Sequence, residues 1–149
     1  EALRGMGTTV VLAVAEGNTV TIAHAGDSRA YLVNAGGIQR LTRDHSVVED
    51  LVAKGRITPE EARQHPQKNL ITRALGSESQ LRADLYRQPL KEGDWLLLCS
   101  DGLSNVVTEQ EILYEVLHGG AAGDCCQRLL EIALSRGAPD NVTAVLLQM

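Results

Sequence analysis

Trp95-Leu96-Leu97-Leu98-Cys99-Ser100-Asp101-Gly102-Leu103 is the stretch on which the reading of this chain turns. Five apolar residues in a row are the pattern of a strand buried on both faces. The run breaks at a Ser-Asp-Gly turn, so a carboxylate stands at the mouth of a rigid element with its oxygens accessible. The same juxtaposition occurs twice more. Asp27 follows the β-branched segment Thr19 to Ala25, and Asp140 precedes Val142 to Leu147. Each taken alone is also an ordinary turn signal, since Asp-Gly and Pro-Asp are turn dipeptides. Taken together, several converging carboxylates would repel one another, and a hard divalent cation with oxygen ligands relieves that repulsion.

Working outward, Val10 to Ala15, Thr19 to Ala25, Ala30 to Val33 and Ile38 to Leu41 read as four sequential strands. Glu16-Gly17-Asn18 and Asn34-Ala35-Gly36-Gly37 are the turns of an antiparallel meander. Residues 44–76 are polar and read as a helical insert. Thr58-Pro59-Glu60-Glu61 starts a helix there, with Thr58 as cap, Pro59 in the first turn and Glu61 closing a capping box. Leu81, Ala83 and Leu85 alternate as a further strand. Thr108 and Glu111 open another capped helix, ended by Gly119-Gly120. The next helix places Cys126, Leu129, Leu130, Ala133 and Leu134 on one buried stripe and stops at Gly137 and Pro139. The order of strands, helical insert, strands, two helices and strand is an α+β pattern, not alternating βαβ units.

Composition bounds the function. The chain has 149 residues, 44% apolar and 22% charged, with a net charge of −5. That suits one soluble domain with its own core and argues against a nucleic-acid-binding surface. No apolar run approaches the roughly 18 residues of a membrane span. Three cysteines, Cys99, Cys125 and Cys126, form neither a disulfide framework nor a zinc spacing. They read as reduced thiols of a cytoplasmic protein. None of His24, His45, His65 and His118 has zinc-ligand spacing. His24 reads as a packed strand residue. His45 and His65 lie in the insert, as solvated surface residues or as contacts to a phosphate. Gly26-Asp27-Ser28-Arg29-Ala30 is one residue from a serine-hydrolase elbow, but a strand follows it where that elbow needs a helix.

Four segments in order resemble the metal-dependent Ser/Thr protein phosphatases of the protein phosphatase 2C (PP2C, PPM) family, above all its bacterial members. They are Gly5-Met6-Gly7-Thr8-Thr9, Gly26-Asp27-Ser28-Arg29, Ser100-Asp101-Gly102-Leu103 and Asp140-Asn141-Val142-Thr143. Asp44-His45, the run from Gly55 to Ala62 and His65-Pro66 resemble the flap of those enzymes. The resemblance implies an antiparallel β-sandwich flanked by helices in four layers, as one domain over residues 1–149 with a flap at about 44–76. It implies a phosphatase acting on phosphoserine and phosphothreonine in proteins, with two or three Mn²⁺ or Mg²⁺ ions. By the same resemblance Asp101 matches a ligand shared by the first and third metals, Asp140 a ligand of the first and Asp27 a ligand of the third. Asn141 matches a residue behind that shell. Asp101 and Asp140 are the catalytic candidates, and phosphorylated proteins and a Ser/Thr kinase are the partners implied.

The family pattern begins before Glu1. Its phosphate-holding Arg and its bridging Asp-Gly have no counterpart here, because no Asp-Gly precedes residue 101. Glu1 to Arg4 match at most the tail of a preceding helix. The chain is therefore expected to be incomplete at its N-terminus and to hydrolyse phosphoesters poorly. It is also expected to expose an apolar sheet face prone to self-association. The alternative is a non-catalytic binding module of the same fold.

Overall fold

The computed structural model describes residues 5–149; the expectation for Glu1 to Arg4 lies outside them. Seven strands and five helices follow in the order β1 (Val10–Glu16), β2 (Thr19–Ala25), β3 (Arg29–Asn34), β4 (Gly37–Arg40), α1 (Val47–Ala53), α2 (Pro59–Gln64), β5 (Asp84–Pro89), β6 (Trp95–Cys99), α3 (Asp101–Ser104), α4 (Glu109–His118), α5 (Ala122–Ser135) and β7 (Ala144–Gln148). One antiparallel sheet has the order β1-β2-β5 and a second has β4-β3-β6-β7. The α+β sandwich of antiparallel sheets with flanking helices is thus the architecture found.

Residue alternation decides which face each strand buries. Val20 and Ile22 of β2 meet Ala30 and Leu32 of β3 and Leu96 of β6 between the sheets. Trp95, Leu97 and Cys99 point the other way, against Ile112 and Val116 of α4 and Leu129 and Ala133 of α5. The run from Trp95 is therefore buried on both faces, as its uninterrupted hydrophobicity requires. Complete burial of one side chain such as Leu97 contributes about 2 kcal/mol. Both expected capping boxes form, at Thr58–Glu61 and Thr108–Glu111.

Two expectations need correction. The insert at 44–76 is helical only in α1 and α2. Its second half is irregular and is tied back through isolated bridges, Ser46 to Ile71 and Thr8 to Leu75. In α5 the buried line is Cys125, Leu129 and Ala133, whereas Leu134 is exposed. The small residues Cys125 and Ala133 let α5 approach the core closely, and the helix is rotated to present that line.

Part of the apolar surface lacks cover. Leu12, Ala23 and Leu85 stand in register across the first sheet on its outer face, with Leu12 54% and Leu85 72% exposed. Val145 and Leu147 pair with Leu98 and Leu96 and so share the face that packs on the first sheet, yet both are exposed. The strand β7 extends past what three strands opposite can cover.

Candidate metal centre

Asp27 sits in the turn that carries the chain from β2 in one sheet to β3 in the other. Gly26 makes that turn with φ +115°, and a Cβ there would stand 2.4 Å from Thr9 Cγ2, so only glycine fits. Thr9 Oγ1 lies 2.8 Å from Ser28 Oγ on the far side of the Asp. His45 engages the turn twice. Its backbone N–H donates to the Gly26 carbonyl at 2.8 Å, and its Nδ1 accepts the Gly26 N–H at 3.0 Å.

Asp101 is the first residue of α3, a one-turn helix that strand-and-turn reasoning did not foresee. Ser100 stitches its approach to the loop of Asp140: Ser100 Oγ donates to Asn141 O at 3.2 Å and accepts the Thr143 N–H at 3.0 Å. The Asn141 N–H donates to Asp140 Oδ1 at 2.7 Å. Asn141 thus connects the two carboxylates through its backbone.

Electrostatics tie the three together. Burial pushes the Asp27 carboxyl up to about 6, and the negative charge of Asp101, then that of Asp44, adds to the effect. Asp101 is raised by burial and then by Asp140. Asp101 is thus a charge neighbour of Asp27 and has Asp140 as a charge neighbour of its own. Arg29 is a cation that both Asp27 and Asp101 feel, but its charge is engaged elsewhere. Its Nε and Nη2 hold Asp44 in a two-pronged pair at 2.9 and 2.7 Å, and Nη1 donates to Tyr31 Oη at 3.1 Å. Burial opposes the guanidinium charge, yet those bonds to Asp44 keep it firmly protonated.

Half-buried carboxylates such as Asp27 and Asp101, with the exposed Asp140 beside the second, are the donor chemistry that a hard divalent cation needs. The fit is in kind and not in number: among the described residues no group of three or more His, Cys, Asp or Glu is arranged to hold an ion.

Asp27 and Asp101 line a cleft of about 520 Å³ between the α1–α2 segment and the α3–α4 connection. Val48, Val52, Ala62, Arg63 and Lys68 face it from one side, and Asn105 to Glu109 from the other.

The histidines are placed differently from one another. His24 is fully buried, as a packed residue should be, but neither of its ring nitrogens has a hydrogen-bond partner. Burial, and then the neighbouring His45, lower its basicity. His45 is neither solvated nor turned to the cleft. It is buried, and its Nε2 lies 2.8 Å from Asp84 Oδ2 on β5. His65 caps the end of α2, where its Nδ1 accepts the Gln67 N–H. Sequence reasoning also left Arg29, Tyr31 and Asp44 without roles. The polar Asp44-His45 pair beside an apolar meander was the available signal.

A family model, Protein phosphatase 2C, matches residues 3–142. The chain is 46% identical over 143 residues to Serine/threonine protein phosphatase PstP of Mycobacterium tuberculosis, covering 96% of this chain and 27% of that protein. It is similar to the crystal structure of Serine/threonine phosphatase Stp1 from Staphylococcus aureus, with TM-score 0.94, 43% identity, and 98% of this chain against 57% of that one. It is also similar to the catalytic domain of PstP in complex with 2 manganese ions, with TM-score 0.86, 41% identity, and 96% of this chain against 59% of that one. The chain thus spans well under two thirds of the length of these relatives.

Proposed function

The chain belongs to the protein phosphatase 2C family, and from that premise we propose that it hydrolyses phosphoserine and phosphothreonine esters in proteins. The observation that carries this reading is that Asp27 and Asp101 line one cleft, with Asp27 raised by burial and then by Asp101, and Asp101 raised by burial and then by the neighbouring Asp140. Asp27, Asp101 and Asp140 would hold Mn²⁺ or Mg²⁺, two or three ions in a complete site. When bound, the cations supply an acidified water for in-line attack and neutralise charge on the phosphoryl oxygens.

The rest is done by the chain's own residues. Asp101, with Asp140 as its charge neighbour and itself a neighbour of Asp27, would be the ligand shared by two ions. Asn141 and Ser100 hold the loops of Asp101 and Asp140 together. The flap at 44–76 forms one wall of the cleft, and Arg63 and Lys68 on it orient a phosphorylated segment of protein substrate. A Ser/Thr kinase acting on the same proteins is the functional counterpart. The setting is cytoplasmic, a reading supported by three free thiols and by the lack of any described helix long and apolar enough to cross a membrane. The uncovered row of Leu12 and Leu85 supports self-association of the chain through its first sheet.

A second reading is favoured by the incompleteness of the ligand group among the described residues. In it the cleft binds phosphorylated segments without cleaving them. The deciding experiment follows phosphate release from a phosphothreonine peptide with Mn²⁺ and then with EDTA. Release that needs Mn²⁺ supports the phosphatase. Peptide binding without release supports the module.

A further inference from the structure

We propose that His45 is a positioning residue that clamps the two peptide groups on either side of Gly26 and so holds the Asp27 carboxylate in the cleft; the consequence for cations rests on reading Asp27 as their ligand. Both polar groups of Gly26 are taken by this one residue. The Gly26 carbonyl accepts the His45 N–H at 2.8 Å, and the Gly26 N–H reaches His45 Nδ1 at 3.0 Å. An amide can only donate, so Nδ1 must carry a lone pair and the ring proton sits on Nε2. That proton is directed at Asp84 Oδ2, 2.8 Å away. Asp84 is itself held by Arg73 Nη1 at 2.8 Å on its other oxygen. The His45 carbonyl accepts the Thr72 N–H at 2.9 Å, which fixes the backbone that carries the ring.

The result is a relay from Arg73 through Asp84 and His45 to Gly26. A carboxylate on one ring nitrogen fixes the tautomer and orientation of the other, the arrangement by which outer residues steady a functional group. His24 closes the last degree of freedom. Its ring stacks on His45 with centroids 4.8 Å apart and planes at 28°, and it is wholly buried, so the His45 ring cannot swing aside. The relay also links parts distant in sequence. Arg73 and His45 belong to the insert, Asp84 to β5 of the first sheet, and Gly26 to the passage between sheets.

Nitrogen-15 spectra of the labelled, cation-free protein test the clamp directly. The expected pattern is a protonated Nε2, an unprotonated Nδ1 and a through-bond coupling between the Gly26 amide and Nδ1. A proton on Nδ1 overturns the proposal. Two variants supply the rescue test. His45→Asn keeps an acceptor near the place of Nδ1, whereas His45→Gln keeps only the reach toward Asp84. Gly26 amide exchange should speed up about fivefold in His45→Gln, the factor one hydrogen bond contributes, and stay near wild type in His45→Asn. Equal exchange in the two variants overturns the proposal.

Paramagnetic broadening of the Asp27 amide by added Mn²⁺ should then need several-fold more ion in His45→Gln than in His45→Asn. If wild-type protein shows no broadening, the reading of Asp27 as a ligand falls, and the tautomer and exchange results still decide the clamp. Should His45→Gln fail to fold, Asp84→Leu removes the acceptor for Nε2 and leaves the ring. It should weaken the Gly26 coupling, and an unchanged coupling overturns the relay.

Discussion

The carbonyl oxygen of Asn141 occupies the space where a side chain on Gly102 would be: a Cβ built there stands 2.2 Å from it. This close approach brings the Asp101 turn and the Asp140 loop together. Gly102→Ala must push the two apart. We expect it to lower unfolding free energy by about 2 kcal/mol, the usual effect of overpacking, measured by urea denaturation. Stability within about 0.5 kcal/mol of wild type would show that the loops yield freely.

Asp101→Asn removes a charge neighbour of Asp27. In a chain extended at its N-terminus to the length of its relatives, turnover of a phosphothreonine peptide should fall by more than about a hundredfold, as expected for loss of the proposed shared ligand. Near-wild-type turnover would sink the assignment of Asp101.

Asp27→Ala, by contrast, removes the proposed ligand of the third, weaker ion. In the same extended chain turnover should fall while two ions stay tightly bound, as counted by calorimetric titration with Mn²⁺. Loss of all cation binding would refute the division of roles between Asp27 and Asp101.

Glu111 carries the pH prediction for stability. Its bonds to Arg136, then to the Thr108 backbone and side chain, lower its carboxyl from an ordinary 4.5 to about 2. A depressed folded value means that its contribution is complete above about 4.5 and disappears as pH falls through about 2. The difference in urea midpoint between wild type and Glu111→Gln should therefore be largest near neutrality and shrink steadily between pH 4.5 and 2. A difference that grows on acidification would reverse the sign of the coupling. The pair is exposed, so the effect is small and weakens with salt.

Leu85→Lys places a charge at one end of the exposed row that Leu12 ends on the other side. Sedimentation velocity should show less self-association than in wild type. Association unchanged by the Lys would move the contact elsewhere, the exposed side of β7 with Val145 and Leu147 being the next surface to substitute.

Much of this was legible because its causes are local. Strands showed as β-branched or apolar runs between Gly and Asn turns, and both capping boxes as Thr with Glu three residues on. The three Asp positions stood out because each ends or begins a strand. What escaped had non-local causes. The second half of the insert owes its path to bridges with Thr8 and Ser46, which no periodicity encodes. The rotation of α5 depends on what Cys125 and Ala133 meet across the core, which the single stripe read from the sequence does not specify. His45 looked like a surface residue because its partners, Gly26 and Asp84, lie 19 and 39 positions away. The meeting of Asp27 and Asp101 at one cleft likewise required the passage from β2 in one sheet to β3 in the other.

That passage has a mechanical meaning. Asp27 rides on the crossing between the two sheets, while Asp101 and Asp140 both belong to the second. Their spacing is therefore a readout of how one sheet is seated on the other, set by Ile22 against Leu96 far below the cleft. On the proposed phosphatase reading, a shear of about 1 Å between the layers, harmless to the fold, would be enough to detune catalysis by about a hundredfold. Thinning that interlayer contact should then abolish the proposed activity at temperatures where the sandwich is still intact, so that function would fail before the fold melts.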